Sequence, residues 1–233
     1  MMDPHLTIAA PNDPVRAVAL VLHGGRANSH APVRPTHLTV VRMTPFATSL
    51  RHAGADLGLA VARLRYLVRG WNGATQSPVA DVHWALKRIT ERYPSAPVAL
   101  VGHSMGGRAA IHAAAAPPVR TVVGLAPWIE PGDLVDSVAG RDVLVLHGDR
   151  DRITNPANSA AWTARARAVA ESAAFVSMAG ERHAMLHRAR LWHSMATSYV
   201  LATLLDVPPA ETASAAGANV IAKVLAGDAS LVV

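Results

Sequence analysis

"LVGHSMGGRAA", residues 100–110, decides how the rest of the chain reads. An apolar run enters a glycine frame around one serine, and an alanine-rich run leaves it. Gly102-His103-Ser104-Met105-Gly106 matches the pattern G-x-S-x-G, with Gly107 beyond it. Between a strand and a helix, that pattern makes a sharp turn that lifts the serine above the sheet edge. Glycine on either side lets strand and helix approach without a Cβ clash. The helix N-terminus offers unpaired N–H groups and a positive dipole end, where a developing oxyanion finds donors. Ser104 is a turn residue or a nucleophile. The second reading requires a base, an acid and a second donor elsewhere in the chain.

Working outward, short aliphatic runs that end in glycine or a polar residue alternate with longer segments of helical spacing. That texture argues for parallel strands with crossover helices. The strand-like runs are 16–24, part of 57–70, 96–102, 119–127, 141–149 and 172–180. Helical segments are expected at 40–54, from the cap and proline at Ser77-Pro78, from Asn155-Pro156 to about 171, and from Ala184 onward. In the Ser77 segment, Val79, Val82, Leu86 and Ile89 recur at spacings of three and four, which gives one apolar face. The expected fold class is α/β, with a mostly parallel central sheet of about six to seven strands, helices on both faces and no cap domain. Residues 1–206 read as one domain, and residues 207–233 as a linker with a short helical appendage.

Composition narrows the class of function. The chain has 233 residues, 51% of them apolar and 16% charged, which suits a compact domain rather than a disordered segment. It has no cysteine, so thiolate nucleophiles, disulfides and cysteine metal sites are excluded. The formal net charge is +6, carried by scattered arginines without a basic run, and no nucleic-acid partner is expected. No apolar run reaches the ~20 residues of a membrane span, and the N-terminal stretch lacks the order of a signal peptide. A cytoplasmic location without stable membrane insertion is expected, and homo-oligomer formation is left open.

Position selects among the 12 histidines. His183, in "GERHAML", follows the last core strand and precedes a helix, where a loop at the carboxyl edge of the sheet would lie. His187 and His193 read as structural, and His23 and His103 as packing or hydrogen-bonding groups near the site. An orienting acid is offered by "VLHGDRDRITNP", which leaves Asp149 and Asp151 as candidates. The order serine, acid, histidine is the one a nucleophile elbow uses. "HGG" at 23–25 is either a turn or the loop that gives the second oxyanion donor, with the N–H groups of Gly25 and Met105 forming the hole.

Taken together, "LVLHGG", "VRGWNG", "LVGHSMGGRAA", "VLHGDRDRITNP" and "GERHAML" resemble the α/β-hydrolase superfamily. Within it the chain is most similar to small capless hydrolases of the dienelactone hydrolase and lysophospholipase-like groups. The resemblance runs from about Val18 to about Tyr199. It implies Ser104 as nucleophile, Asp151 as acid, His183 as base and the Gly25 and Met105 N–H groups as oxyanion hole. It implies no metal and no organic cofactor. Dienelactone hydrolases use a cysteine nucleophile, so that activity is not implied. Too few residues follow the strand near Ala126 to build a helical cap, so an open rim is expected.

The expected function is hydrolysis of a small acyl ester by a serine hydrolase. A thioesterase or acyltransferase with the same triad, a peptidase, and a non-catalytic binding protein of this fold are the alternatives. Trp128 and Ile129 are candidates to line an acyl pocket, and Trp71 either forms the opposite wall or covers the core edge. Arg69 or Arg182 either meets an anionic substrate group or is a solvated surface charge.

Overall fold

The computed structural model describes residues 3–11 and 14–233. Its frame is one eight-stranded sheet in the order β1-β3-β2-β4-β5-β6-β7-β8. The strands are β1 (His5–Ala9), β2 (Ala17–Leu22), β3 (Leu59–Arg65), β4 (Val98–His103), β5 (Val119–Leu125), β6 (Asp142–Gly148), β7 (Ser172–Met178) and β8 (Ser230–Val232). All neighbours pair in parallel except β1, which runs antiparallel to β3. The helices are α1 (Leu38–Val41), α2 (Thr44–Gly54), α3 (Ser77–Arg92), α4 (Met105–Ala113), α5 (Pro156–Ala166), α6 (Ala189–Leu205), α7 (Pro209–Thr212) and α8 (Ala215–Leu225).

The central strands are aliphatic throughout because both faces are covered, as parallel crossovers require. In β2, Val18, Leu20 and Leu22 pack with Val82, Leu86 and Ile89 of α3 and with α4 and α5. Ala17, Ala19 and Val21 point the other way, into a layer with Phe46 and Leu50 of α2 and Trp192 and Tyr199 of α6. The same strand thus feeds two cores by its period of two. Burying a leucine or valine in either layer stabilises by about 1.5–3 kcal/mol.

The sheet has eight strands rather than the six to seven expected. The additional strands are its two edges. β1 alternates exposed and half-buried residues, and β8 is three residues long, so neither carries a long apolar run. The tail expected to be a linker with an appendage is built into the body. Ser214 accepts from the Gly217 N–H at the start of α8, whose Val220, Ile221 and Val224 join the α6 core layer. β8 then pairs with β7, Val176 opposite Leu231.

Four helix boundaries also shift. The segment expected as one helix over 40–54 divides into α1 and α2, and α5 ends at Ala166 rather than near 171. α3 begins at Ser77 itself, after a left-handed Gln76. α6 begins at Ala189, not Ala184, because Met185 is left-handed (φ 57°) and the Arg188 N–H donates to the buried Glu181 carboxylate at 2.5 Å. Residues 184–188 are therefore a turn beside His183. Four segments, after β2, β4, β6 and β7, leave the carboxyl edge of the sheet close together. Crevices at that edge are where open α/β sheets hold their sites.

Candidate active site

Ser104 is the residue between β4 and α4. It has φ 56° and ψ −120°, a conformation that side chains rarely adopt and that costs ~1–3 kcal/mol. Its surroundings hold it there. The Ser104 N–H donates to the Leu125 carbonyl at 3.1 Å, and its carbonyl accepts from the N–H groups of Gly107, Arg108 and Trp128 at 3.0, 3.2 and 3.0 Å. A Cβ at Gly106 would lie 2.6 Å from the His23 carbonyl oxygen, and one at Gly102 would overlap the Gly106 carbonyl. Only glycine at both positions lets α4 start this close to β2 and β4.

Met105 opens α4, and the backbone of Gly25 lies against it. A Cβ on Gly25 would meet the Met105 sulfur at 2.5 Å and overlap the Arg69 carbonyl oxygen. Among the described residues neither the Gly25 nor the Met105 N–H has a protein acceptor. Gly24 reaches Ser104 itself, since a Cβ there would sit 3.2 Å from the serine Cβ. His23 fixes the loop. Its Nδ1–H donates to the Gly24 carbonyl at 2.6 Å, and its Nε2 accepts from the Tyr66 N–H at 3.3 Å.

Asp151 and Asp149 play different parts. Asp149 is exposed and braces a turn, accepting from the Gly180 N–H at 2.7 Å. The Asp151 side chain is buried. Its Oδ1 accepts from the Ile153 and Thr154 N–H groups at 2.8 and 3.1 Å. Its Oδ2 faces His183 Nδ1 at 2.7 Å, Thr154 Oγ1 at 2.8 Å and His147 Nε2 at 3.1 Å. Burial alone would raise this carboxyl's pKa. The hydrogen bonds from His147, His183 and the Ile153 N–H outweigh it and hold the group well below the usual carboxylate range. No hydrogen bond joins Ser104 to His183 in the substrate-free molecule, and such contacts commonly tighten only when substrate binds.

His103 fastens the loop of His183 to the turn at Ser104. Its Nε2 donates to the His183 carbonyl at 3.0 Å, and the two rings stand 4.7 Å apart. Burial first, then the neighbouring His183, lowers the His103 pKa to about 3. Burial likewise lowers His23 to about 4. Both start from 6.5 in the unfolded chain. Below that pH the unfolded chain takes up protons that the folded one refuses. Stability should therefore fall as pH drops from about 6.5 towards 4, by about 1.4 kcal/mol per pH unit for each histidine. Thermal unfolding between pH 7 and 5 measures this, and His103→Gln should remove about half of the slope.

Two tryptophans and a cation pack together one helical turn beyond Ser104. The Trp71 and Trp128 rings stand 6.0 Å apart, with the Arg108 guanidinium 4.5 Å from one and 4.7 Å from the other. Arg108 pairs with Asp133 at 2.6 Å, and His112 reaches the same carboxylate at 3.3 Å. Burial would raise the Asp133 pKa, but His112, Arg108 and the Glu130 N–H bring it down to about 2. Trp71 is 4% exposed and Ile129 2% exposed, so both belong to the core and form no open wall. Arg108 covers the Trp71 ring face, and Ile129 packs in the same core layer as α3 and α4. Trp128 is half-buried, its indole N–H donating to Glu130. Arg69 lines a cleft with Gly24 and Gly25. Among the described residues no group of three or more His, Asp or Glu is placed to hold a metal.

A family model described as serine aminopeptidase, S33, matches residues 68–141. That stretch contains Ser104 but neither Asp151 nor His183. No curated protein matches the chain. Among solved structures, an α/β serine hydrolase homologue from Coxiella burnetii is 19% identical, with a TM-score of 0.61 over 82% of this chain and 89% of that one. An α/β serine hydrolase without a lid from Xanthomonas campestris is 20% identical, with a TM-score of 0.63 over 87% and 89%. An esterase from Pyrococcus furiosus is 13% identical, with a TM-score of 0.64 over 86% of each chain. The chain is an α/β hydrolase by fold. Like the Xanthomonas structure, the described residues carry no lid over this fold. The segment between β5 and β6 carries one short 3-10 turn, Asp136–Val138, where a helical cap would be inserted.

Three residues of the candidate site escape a motif reading. His147 is fully buried, with Nδ1 on Ser159 Oγ at 2.9 Å and Nε2 on Asp151. Thr154 Oγ1 lies within reach of both Asp151 and His183. Both flank Asp151 in "LHGDRDRIT", four residues before it and three after, which is one turn of chain on either side. Arg108 stands one helical turn after Ser104, and that spacing was its only signal.

Proposed function

We propose that the chain is a serine hydrolase acting on carboxylic esters or related acyl bonds. The observation that carries this is Ser104, held at positive φ at a helix start, on the same sheet edge as a buried Asp151–His183 pair. His183 Nε2 takes the Ser104 proton as Oγ attacks the carbonyl carbon. Asp151, on Nδ1, fixes the tautomer and stabilises the imidazolium that forms. The N–H groups of Gly25 and Met105 bind the oxyanion. The imidazolium gives its proton to the leaving alcohol, and water, activated by the same ring, releases the acid. The esterase from Pyrococcus furiosus, of the same fold, supports the ester, whereas the family model that matches residues 68–141 is described as that of an aminopeptidase.

The test is reaction with a fluorophosphonate probe, with the adduct located by peptide mass spectrometry, alongside turnover of a short-chain nitrophenyl ester. Labelling on Ser104 with ester turnover is expected. Neither labelling nor turnover by the wild-type protein would overturn the assignment. Parallel assays on acyl-CoA thioesters distinguish a thioesterase acting through the same groups.

A further inference from the structure

Arginines gather on one side of the proposed nucleophile without an acid to meet them. The cleft of about 180 Å³ next to Ser104 is lined by Gly24, Gly25, Arg26, His37 and Arg69, among others. Arg26 and Arg69 leave adjacent extended segments. An isolated parallel bridge joins Arg26 to Gly70, with the Arg26 N–H on the Arg69 carbonyl at 2.8 Å and the Trp71 N–H on the Arg26 carbonyl at 2.9 Å. Arg34 adds its backbone. Its N–H donates to His37 Nδ1 at 3.2 Å, which leaves Nε2 as the ring's donor. Loss of hydration first, then the charges of Arg69, Arg34 and Arg26, lowers the His37 pKa, so these guanidiniums bear on one place.

Among the described residues none of Arg26, Arg34 and Arg69 forms an ion pair. The opposite lip of the site differs. There Arg150, Arg152 and Arg182 share their cleft with Asp149 and Asp151, so positive charge is matched by negative. Like charges brought together at a concave surface, without compensation, repel until an anion enters. Guanidinium forks suit carboxylate and phosphate oxygens.

We infer that this cleft is an anion subsite, and that the substrate is an ester carrying a carboxylate or phosphate a few bonds from the carbonyl attacked by Ser104. The inference rests on the hydrolase reading above. Gly24 and Gly25 join the two regions: one touches Ser104, the other offers an oxyanion donor, and both line the cleft. An anion seated there positions the carbonyl at the oxyanion hole. Selectivity for anionic over neutral esters follows, and it weakens with salt because Arg26 and Arg34 are exposed.

The experiment compares kcat/KM for 4-nitrophenyl hemiglutarate and 4-nitrophenyl butyrate, whose acyl chains differ mainly in the terminal charge. The wild-type protein should prefer the hemiglutarate by about tenfold or more. Arg26→Gln and Arg69→Gln should each bring that ratio down towards one, and Arg69→Lys should retain part of it. Arg120→Gln, at the opposite end of the sheet, should keep the wild-type ratio. Competition by glutarate against inorganic phosphate then shows which anion the cleft takes. Equal turnover of the two esters, or a ratio unmoved by both glutamine variants, overturns the subsite and leaves the hydrolase standing. If neither ester is turned over and no fluorophosphonate adduct forms, the hydrolase reading fails and takes the subsite with it.

Discussion

Ser104→Ala is expected to lower kcat on a short nitrophenyl ester by about 10⁴- to 10⁶-fold and to abolish fluorophosphonate labelling. The size of the loss follows from the role. Without Oγ there is no acyl-enzyme, and what remains is water held near two free N–H groups. The fold should not change. Alanine has the same Cβ as serine, so it adds no strain at φ 56°, and the backbone bonds to Leu125, Gly107, Arg108 and Trp128 remain. The unfolding midpoint should stay within what ~0.5 kcal/mol moves. A variant that keeps more than about a tenth of wild-type kcat would remove Ser104 from the chemistry.

Asp151→Asn should cost about 10⁴-fold in kcat, for a reason set by the two oxygens separately. Oδ1 accepts two backbone N–H groups, from Ile153 and Thr154. An asparagine must keep its carbonyl there, which turns its amide nitrogen towards His183 Nδ1. That nitrogen donates, so Nδ1 becomes an acceptor and the ring's proton moves to Nε2. A histidine protonated at Nε2 cannot take the Ser104 proton. His147 meets the same reversal, since its Nε2 now faces a donor too. The loss should therefore appear in kcat more than in KM, with some loss of stability. A fall of less than about tenfold would show that His183 keeps its tautomer without the carboxylate.

The elbow, the order of serine, acid and histidine, and the glycine loop after β2 were legible because each is a local pattern tied to a strand end. Asp149 and Asp151 were not separable from the chain's texture. One faces solvent and the other is buried among five hydrogen-bond partners, and that difference is made by loops meeting from β6 and β7. The edges β1 and β8 escaped for the opposite reason. Their residues carry little apolar signal, and pairing with the sheet alone makes them strands. Ile129 was misplaced and Trp71 left open between two readings, because isoleucine and tryptophan near a site loop suit a pocket wall and a core equally well. Arg108, entering from α4, decided the matter for Trp71 by taking its ring face. The cleft proposed for an anion was visible only as Arg69 beside a motif, because Arg26 and His37 reach it from a different loop.

Under the proposed function, the Arg108 clamp also bears on how a substrate is admitted. One cation, rooted a turn beyond the nucleophile, grips the loop after β3 through Trp71 and the loop after β5 through Trp128 and Asp133. A mouth fastened this way is an aperture of fixed calibre rather than a door. On that reading the two loops the clamp fastens need no ordering at each turnover. Under the proposed function, selection among acyl groups is then made on arrival, by the standing outline of the opening.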